Sequence, residues 1–275
     1  MMKYRYGRNV FLTGGSSGIG LAAATLFATN GYTVFAASRA PEPSIRAFPG
    51  GGEIRPVALD VRDLSSVDAA VDNALSIADI GIVVHCAGMG IACPAEDYPV
   101  EPVSALIETN YSGVLRVNSR LLPHMRERGG GMCVIIGSVA GMFAVPFQSH
   151  YCSSKAALDL YAATLRMEMR EYGVRVSLIM PGDTKTGFTA ARTYEIEEAS
   201  PYYSVCLKAV KKMERDEIGG KPPESAARAI IKVTGMKNPP ARKIVGFDYK
   251  MLAFLSRLLP YRLIEFILRG IYIGI

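Results

Sequence analysis

Val10-Phe11-Leu12-Thr13-Gly14-Gly15-Ser16-Ser17-Gly18-Ile19-Gly20 is a short apolar strand running into a glycine-rich turn, and residues 21–29 continue it as a helical run. Strand, glycine loop and helix, in that order, make the turn that binds a dinucleotide. Glycines let the backbone approach a pyrophosphate, and the free N–H groups of the first helical turn then face its charge. The spacing is T-G-x-x-x-G-x-G rather than G-x-G-x-x-G, so the loop is read together with its surroundings.

Outward from this turn, short apolar runs alternate with helical patterns. Residues 32–37, 54–59, 80–84, 132–136, 174–180 and 242–245 read as strands, and 65–77, 102–126, 151–172 and 225–234 as helices. Alternation of this kind predicts an α/β fold: a single Rossmann-type, doubly wound domain over 1–247 with a seven-stranded parallel sheet. Residues 185–223 form a long segment of the kind that serves as a substrate lid. In the tail, 248–275, Met251, Leu252, Phe254, Leu255, Leu258 and Leu259 share one helical face, Pro260 interrupts, and a second amphipathic run follows. The tail is an amphipathic helical extension that packs on the body or lies on a membrane surface.

Strand ends carry the candidate site. Ser38-Arg39 ends the second strand, where an NAD site usually has a carboxylate for the ribose hydroxyls. None is present, and a planar guanidinium at Arg39 suits a 2′-phosphate. The cofactor expected is NADP, with NAD as the alternative. Asp60-Val61 ends the third strand, where Asp60 either meets the adenine edge or forms a turn. Cys86-Ala87-Gly88 follows the fourth, small enough for the chain to pass close to a cofactor. His85 has no partner at metal-ligand spacing and reads as structural; no metal is expected.

Ser138 ends the fifth strand. Tyr151 and Lys155 lie one helical turn apart on one face. An ammonium beside a phenol favours the phenolate, so Lys155 is expected to lower the Tyr151 pKa and make it a proton donor and acceptor near neutral pH. Asn110, in the middle of the helix over 102–126, either points to solvent or has a task inside.

The chain has 275 residues, 49% hydrophobic and 20% charged, with a net charge of +6. No basic block reads as a nucleic-acid arm. Five cysteines, none in a C-x-x-C pair, read as reduced thiols in a cytoplasmic protein. The first apolar run is too short for a secretory signal, and no uncharged run in the tail approaches the roughly 20 residues that span a bilayer.

In combination these motifs resemble the short-chain dehydrogenase/reductase family over about residues 8–245. The glycine loop looks like the family's cofactor loop, with Gly14, Ser16, Ser17, Gly18, Ile19 and Gly20 in it. Asn110, Ser138, Tyr151 and Lys155 match its catalytic tetrad in order and approximate spacing. Pro181-Gly182 with Thr184 matches the segment that touches the nicotinamide carboxamide. One departure is Cys86, where the family has asparagine, which predicts altered local packing rather than lost activity.

The resemblance implies hydride transfer between nicotinamide C4 and a carbonyl or secondary alcohol carbon. Tyr151 would move the hydroxyl proton, Lys155 would tune it and hold the nicotinamide ribose, and Ser138 would orient the substrate oxygen. Asn110 would link Lys155 to solvent through its helix backbone and a water. Family members are often homodimers or homotetramers.

The body with its amphipathic tail is similar to the hydroxysteroid (17-beta type) and retinol dehydrogenase branch. Met142, Phe143, Val145 and Phe147 before Tyr151, and Phe188 in the lid, suit a bulky apolar ligand; otherwise they pack the lid on the body. The expected substrate is a lipophilic alcohol or ketone, a steroid first, with retinoids, long-chain keto-lipids and 3-oxoacyl thioesters behind it. The two competing readings are a non-catalytic NADP-binding sensor and a membrane-surface adaptor acting through the basic tail.

Overall fold

Alternation along the first strand decides how the layers stack. In Asn9–Thr13, Val10 and Leu12 enter one apolar cluster and Phe11 enters the other. Successive side chains point to opposite faces of a sheet, so this strand is buried on both sides and must lie at its centre. The computed structural model describes residues 4–97, 99–194 and 196–274.

The strands are β1 (Asn9–Thr13), β2 (Thr33–Ser38), β3 (Arg46–Ala47), β4 (Glu53–Ala58), β5 (Ile82–His85), β6 (Ile91–Ala92), β7 (Gly131–Ile136), β8 (Val174–Pro181), β9 (Thr193–Tyr194) and β10 (Arg242–Val245). The helices are α1 (Gly18–Thr29), α2 (Leu64–Ile77), α3 (Val100–Ile107), α4 (Gly113–Glu127), α5 (Ser149–Glu168), α6 (Tyr203–Ile218), α7 (Pro223–Thr234), α8 (Phe247–Leu255) and α9 (Tyr261–Tyr272).

The main sheet runs β10-β8-β7-β5-β1-β2-β4-β3. From β1 the chain builds outward through β2 and β4, then crosses back to β5 and builds the other way. That reversal opens a crevice at the carboxyl ends of β1 and β5, where a doubly wound sheet takes its ligand. Helices α2, α4 and α5 supply one apolar layer and α1 and α7 the other. The expected seven parallel strands are present, and the sheet has an eighth. Strand β3 pairs antiparallel with β4 at the edge, through a tight turn in which Gly51 has φ 76° and Phe48 N–H donates to the Gly52 carbonyl at 2.8 Å. Two residues carry no readable alternation, which is why the sequence does not announce this strand.

Two further departures concern the site. The helix expected over 102–126 is α3 and α4 joined by a π-helical turn, Glu108–Ser112, which holds Asn110 fully buried. A π-turn inside an α-helix often marks a functional position. The segment over 185–223, expected to be a lid, contains helix α6, in which Cys206, Ala209, Val210 and Met213 are buried at i, i+3, i+4 and i+7. It is tied to the body by the small parallel pair of β6 with β9.

His85 is structural, as its spacing predicts. It is buried in β5 and shares a 2.8 Å hydrogen bond with Asn118 Oδ1. Burial pushes its pKa down to about 4, so it is neutral at physiological pH. Among the described residues no cluster of His, Cys, Asp or Glu could hold a metal ion, and no helix is long and apolar enough to cross a membrane.

Candidate active site

The glycine turn closes on itself and on the turn after β5. Gly14 has φ +71°, and a Cβ there would lie 2.7 Å from the Ala87 nitrogen. A Cβ on Gly20 would lie 2.0 Å from the Gly14 carbonyl oxygen. Both positions therefore require glycine. Gly18 is also left-handed, at φ +51°. Ser17 begins α1 without a side-chain cap, which leaves the first N–H groups of the helix open to an anion. Ser16 and Ser17 are exposed at the rim, and Ile19 packs against the apolar layer beneath.

At the end of β2, Ser38 is buried and its Oγ has no hydrogen-bond partner among the described residues. Arg39 beside it is exposed and makes no salt bridge among the described residues. An unmet hydroxyl beside an unclaimed guanidinium, at the open end of a strand, fits a sugar-phosphate group. Asp60, after β4, accepts from the Arg62 side chain with both carboxylate oxygens, the shortest contact being 2.6 Å. Arg62 and, more weakly, Arg39 hold its pKa down at about 2. Of the two readings of Asp60, the structure displays the turn-forming one. Val61 is buried, and Gly113 is small to accommodate it: a Cβ at Gly113 would be 2.7 Å from Val61 Cγ2.

Cys86 and Ala87 are held by Thr13, whose carbonyl accepts from Cys86 N–H at 3.1 Å and whose hydroxyl accepts from Ala87 N–H at 3.3 Å. The Cys86 side chain joins the apolar layer, and burial raises its thiol to about 12. The departure at this position is thus absorbed by backbone hydrogen bonds and packing. A Cβ on Gly88 would lie 3.4 Å from Asn110 Oδ1 and 3.7 Å from Lys155 Nζ, so the bare backbone passes close to both.

The four residues Asn110, Ser138, Tyr151 and Lys155 come together here. Ser138 stands just past β7, its hydroxyl accepting from Ala140 N–H at 3.1 Å and acting as a hydrogen-bonding neighbour of the Tyr151 phenol. Lys155 is buried, donates to the Ile136 carbonyl at 3.0 Å, and lies 5.8 Å from the Tyr151 ring centre. The Asn110 side chain clamps Met89, accepting from its N–H at 2.8 Å and donating to its carbonyl at 2.9 Å. It also donates to Ser154 at 3.2 Å, a contact to α5 that the sequence does not reveal.

The electrostatics differ from expectation in one respect. Burial raises Tyr151 to about 12, and Ser138 only partly opposes it. Lys155 is lowered to about 8, again by burial. Lys155 does not set the Tyr151 pKa here, because its ammonium is turned to a carbonyl and desolvation outweighs its charge. In this state the phenol is protonated at neutral pH.

A family model described as short chain dehydrogenase matches residues 8–197. The chain is a short-chain dehydrogenase. A 3-ketodihydrosphingosine reductase of Bacteroides thetaiotaomicron is 32% identical, over 96% of this chain and 97% of its own. The human 17-beta-hydroxysteroid dehydrogenase type 1 is 33% identical, over 65% of this chain and 57% of its own. A short-chain dehydrogenase from Streptomyces avermitilis superposes with a TM-score of 0.77 at 26% identity, covering 91% of this chain and 93% of that one. Another from Burkholderia cenocepacia, in complex with NADP, does so with a TM-score of 0.69 at 21% identity, covering 92% and 98%. The chain is an NAD(P)-dependent oxidoreductase, and its crevice fits that cofactor.

The tail takes part in the dehydrogenase's crevice. A Cβ on Gly182 would lie 2.0 Å from Tyr249 Cε2, so α8 presses directly on the segment after β8. The Tyr249 hydroxyl donates to the Asp183 carboxylate and accepts from Asp183 N–H at 3.2 Å. Thr184 donates to the Gly182 carbonyl at 2.9 Å, and Pro181 closes β8. Neither Asp183 nor Tyr249 is marked by any motif; only their positions, after a strand and in an apolar tail, hint at a role.

The five apolar residues expected around the substrate separate. Phe188 alone of them meets the Tyr151 ring, tilted at 55° to it with ring centres 5.8 Å apart. Met142, Phe143, Val145 and Phe147 line a cleft of about 620 Å³ between the loop before α5 and the tail helix α9, with Ser149, Cys152 and Ser153. Those three share a face of α5 opposite Tyr151, since successive helical residues are about 100° apart. Val145 and Phe147 also pack against α6. These four line the cleft beside the tail, on the other face of α5 from Tyr151. The Tyr151 side is apolar nonetheless, with Met89, Ile91 and Cys93 in the same cluster as Tyr151.

Proposed function

We propose that this dehydrogenase uses NADPH to reduce a lipophilic ketone, a long-chain keto-lipid, to its secondary alcohol. The observation that carries this reading is the Tyr151 phenol beside Ser138, against the Phe188 ring in an apolar cluster, with burial raising its pKa to about 12. The cofactor, when bound, would supply the hydride, and the protein would orient it toward the ketone. Ser138 orients the ketone oxygen, and Tyr151 donates the proton that becomes the new hydroxyl hydrogen. Lys155, held by the Ile136 carbonyl, places a cation beneath Tyr151 and at the ribose position. Asn110 fixes Met89 and α5 in register behind them. Pro181, Gly182 and Thr184 shape the nicotinamide end, and the glycine loop, Ser38 and Arg39 the phosphate end.

A relative matched almost end to end is a reductase of a long-chain keto-lipid, whereas the hydroxysteroid relative matches about two thirds of this chain. Keto-lipids therefore stand ahead of steroids. The test is NADPH oxidation with a long-chain keto-lipid, a ketosteroid, retinal and a 3-oxoacyl thioester in parallel. The keto-lipid should show the highest kcat/KM by about tenfold or more, the scale on which a well-matched apolar pocket discriminates. A steroid preference of that size would overturn the substrate class and keep the reaction.

The tail supports a peripheral membrane contact. Phe247 and Phe266 are 72% and 68% exposed, Phe254 is exposed as well, Arg257 lies between α8 and α9, and Arg262 and Arg269 lie on α9. Exposed aromatics framed by arginines suit an anionic lipid surface. In flotation with phosphatidylglycerol vesicles, Phe254→Glu with Phe266→Glu should lower recovery of the full chain severalfold. Equal recovery would remove the membrane from this account.

A further inference from the structure

Arg192 carries a charge where charge is costly. Its side chain is 1% exposed, just ahead of β9 in the lid. It donates through Nη2 to Glu217 of α6, whose other oxygen accepts from Thr189 Oγ1 at 2.6 Å. Its Nε and Nη1 are buried and have no hydrogen-bond partner among the described residues, while the Tyr194 hydroxyl neighbours the guanidinium. A guanidinium does not shed its proton to escape this. Buried donors left unmet are rare in folded proteins, and each calls for a physical reason.

The location supplies one. The Phe188 ring is 5.8 Å from the Tyr151 ring and 5.9 Å from Arg192 Cζ, so a single side chain separates the proton donor from the guanidinium. Gly90 lets them close in: a Cβ there would lie 2.8 Å from Phe188 Cζ and 3.7 Å from Arg192 Nε. Thr193 N–H donates to the Gly90 carbonyl at 3.2 Å and fixes the lid at this point. The charges of both Glu217 and Arg192 are felt at the Tyr151 phenol.

We propose that Arg192, oriented by Glu217, determines specificity by donating from Nε–H and Nη1–H to a second oxygen of the substrate, a hydroxyl or carbonyl a few carbons from the reacting ketone. This rests on the ketone-reductase reading above and narrows it. The pocket would select an oxygenated keto-lipid over a hydrocarbon chain bearing one ketone. A site built to hydrogen-bond a substrate oxygen discriminates strongly against the analogue that lacks it, because its own polar groups are then left unmet.

The test compares a medium-chain β-hydroxyketone with the same ketone lacking the hydroxyl. Wild type should favour the hydroxyketone in kcat/KM by about tenfold, the scale of one charge-assisted hydrogen bond. Arg192→Met should abolish the preference: kcat/KM on the hydroxyketone should fall about tenfold further than kcat/KM on the plain ketone. Arg192→Lys keeps a cation for Glu217 but lacks the planar fork, and should behave likewise; it carries the test where Arg192→Met does not fold. An unchanged preference, or equal losses on both ketones, would overturn the proposal. If wild type reduces neither ketone, the reductase reading fails first. Calorimetry of the two ketones on NADPH-loaded wild type and Arg192→Lys then decides the proposal, which stands only if the variant loses about tenfold in hydroxyketone affinity alone.

Discussion

Tyr151→Phe is expected to lower kcat for ketone reduction by about 10²- to 10⁴-fold, the range for loss of a positioned proton donor. NADPH affinity should stay within about twofold, because the glycine loop, Ser38, Arg39 and Lys155 remain to hold the cofactor. The substitution keeps the ring that Phe188 packs against and removes only the oxygen facing Ser138. The raised pKa of Tyr151, about 12, fixes the sign of the pH dependence. Reduction needs the protonated phenol, so kcat for reduction should not fall between pH 6 and 8 through loss of that proton. Oxidation of the alcohol needs the phenolate, so its rate should climb with pH toward the alkaline limb. Stopped-flow turnover in both directions checks this. Retained turnover in the phenylalanine variant would mean that another group supplies the proton.

Arg39→Ala is expected to weaken NADPH binding by about 10- to 100-fold, the equivalent of one charge-assisted ion pair to phosphate. NADH binding should change by less than about threefold. Arg39 is exposed and bound to no carboxylate among the described residues, so its guanidinium is available to the 2′-phosphate. Ser38 contributes a buried hydroxyl that has no partner among the described residues. Because the pair is exposed, the NADPH advantage should also shrink as salt rises. Fluorescence titration of both cofactors onto wild type and variant measures this, and a wild type that prefers NADH would refute the assignment.

The central architecture is legible because it rests on local patterns. Val10, Phe11 and Leu12 are apolar on both faces, and the glycines after them sit where Cβ atoms would collide. Tyr151 and Lys155 share a helix face, so their proximity needs no tertiary information. What stays hidden depends on the third dimension. Arg192 and Glu217 meet only when the lid folds back on β6, and Tyr249 reaches Asp183 only once α8 docks. The phenol's pKa is likewise a property of burial: spacing places the ammonium near the ring, and desolvation then outweighs it. The placement of Met142, Phe143, Val145 and Phe147 depends on the third dimension too: they line a cleft against the tail helix, and Val145 and Phe147 also pack on α6. Helix α6 is a different matter, since the spacing of Cys206, Ala209, Val210 and Met213 does carry a readable helical signal within the lid.

The most direct test of the central claim is reduction of the long-chain keto-lipid with NADPH deuterated at nicotinamide C4, on the transferred face, followed by mass analysis of the alcohol. The account predicts one deuterium on the carbinol carbon, none on the hydroxyl, and loss of that product in Tyr151→Phe. Alcohol formed without label on that carbon, or no NADPH-dependent alcohol from any ketone offered, would contradict it.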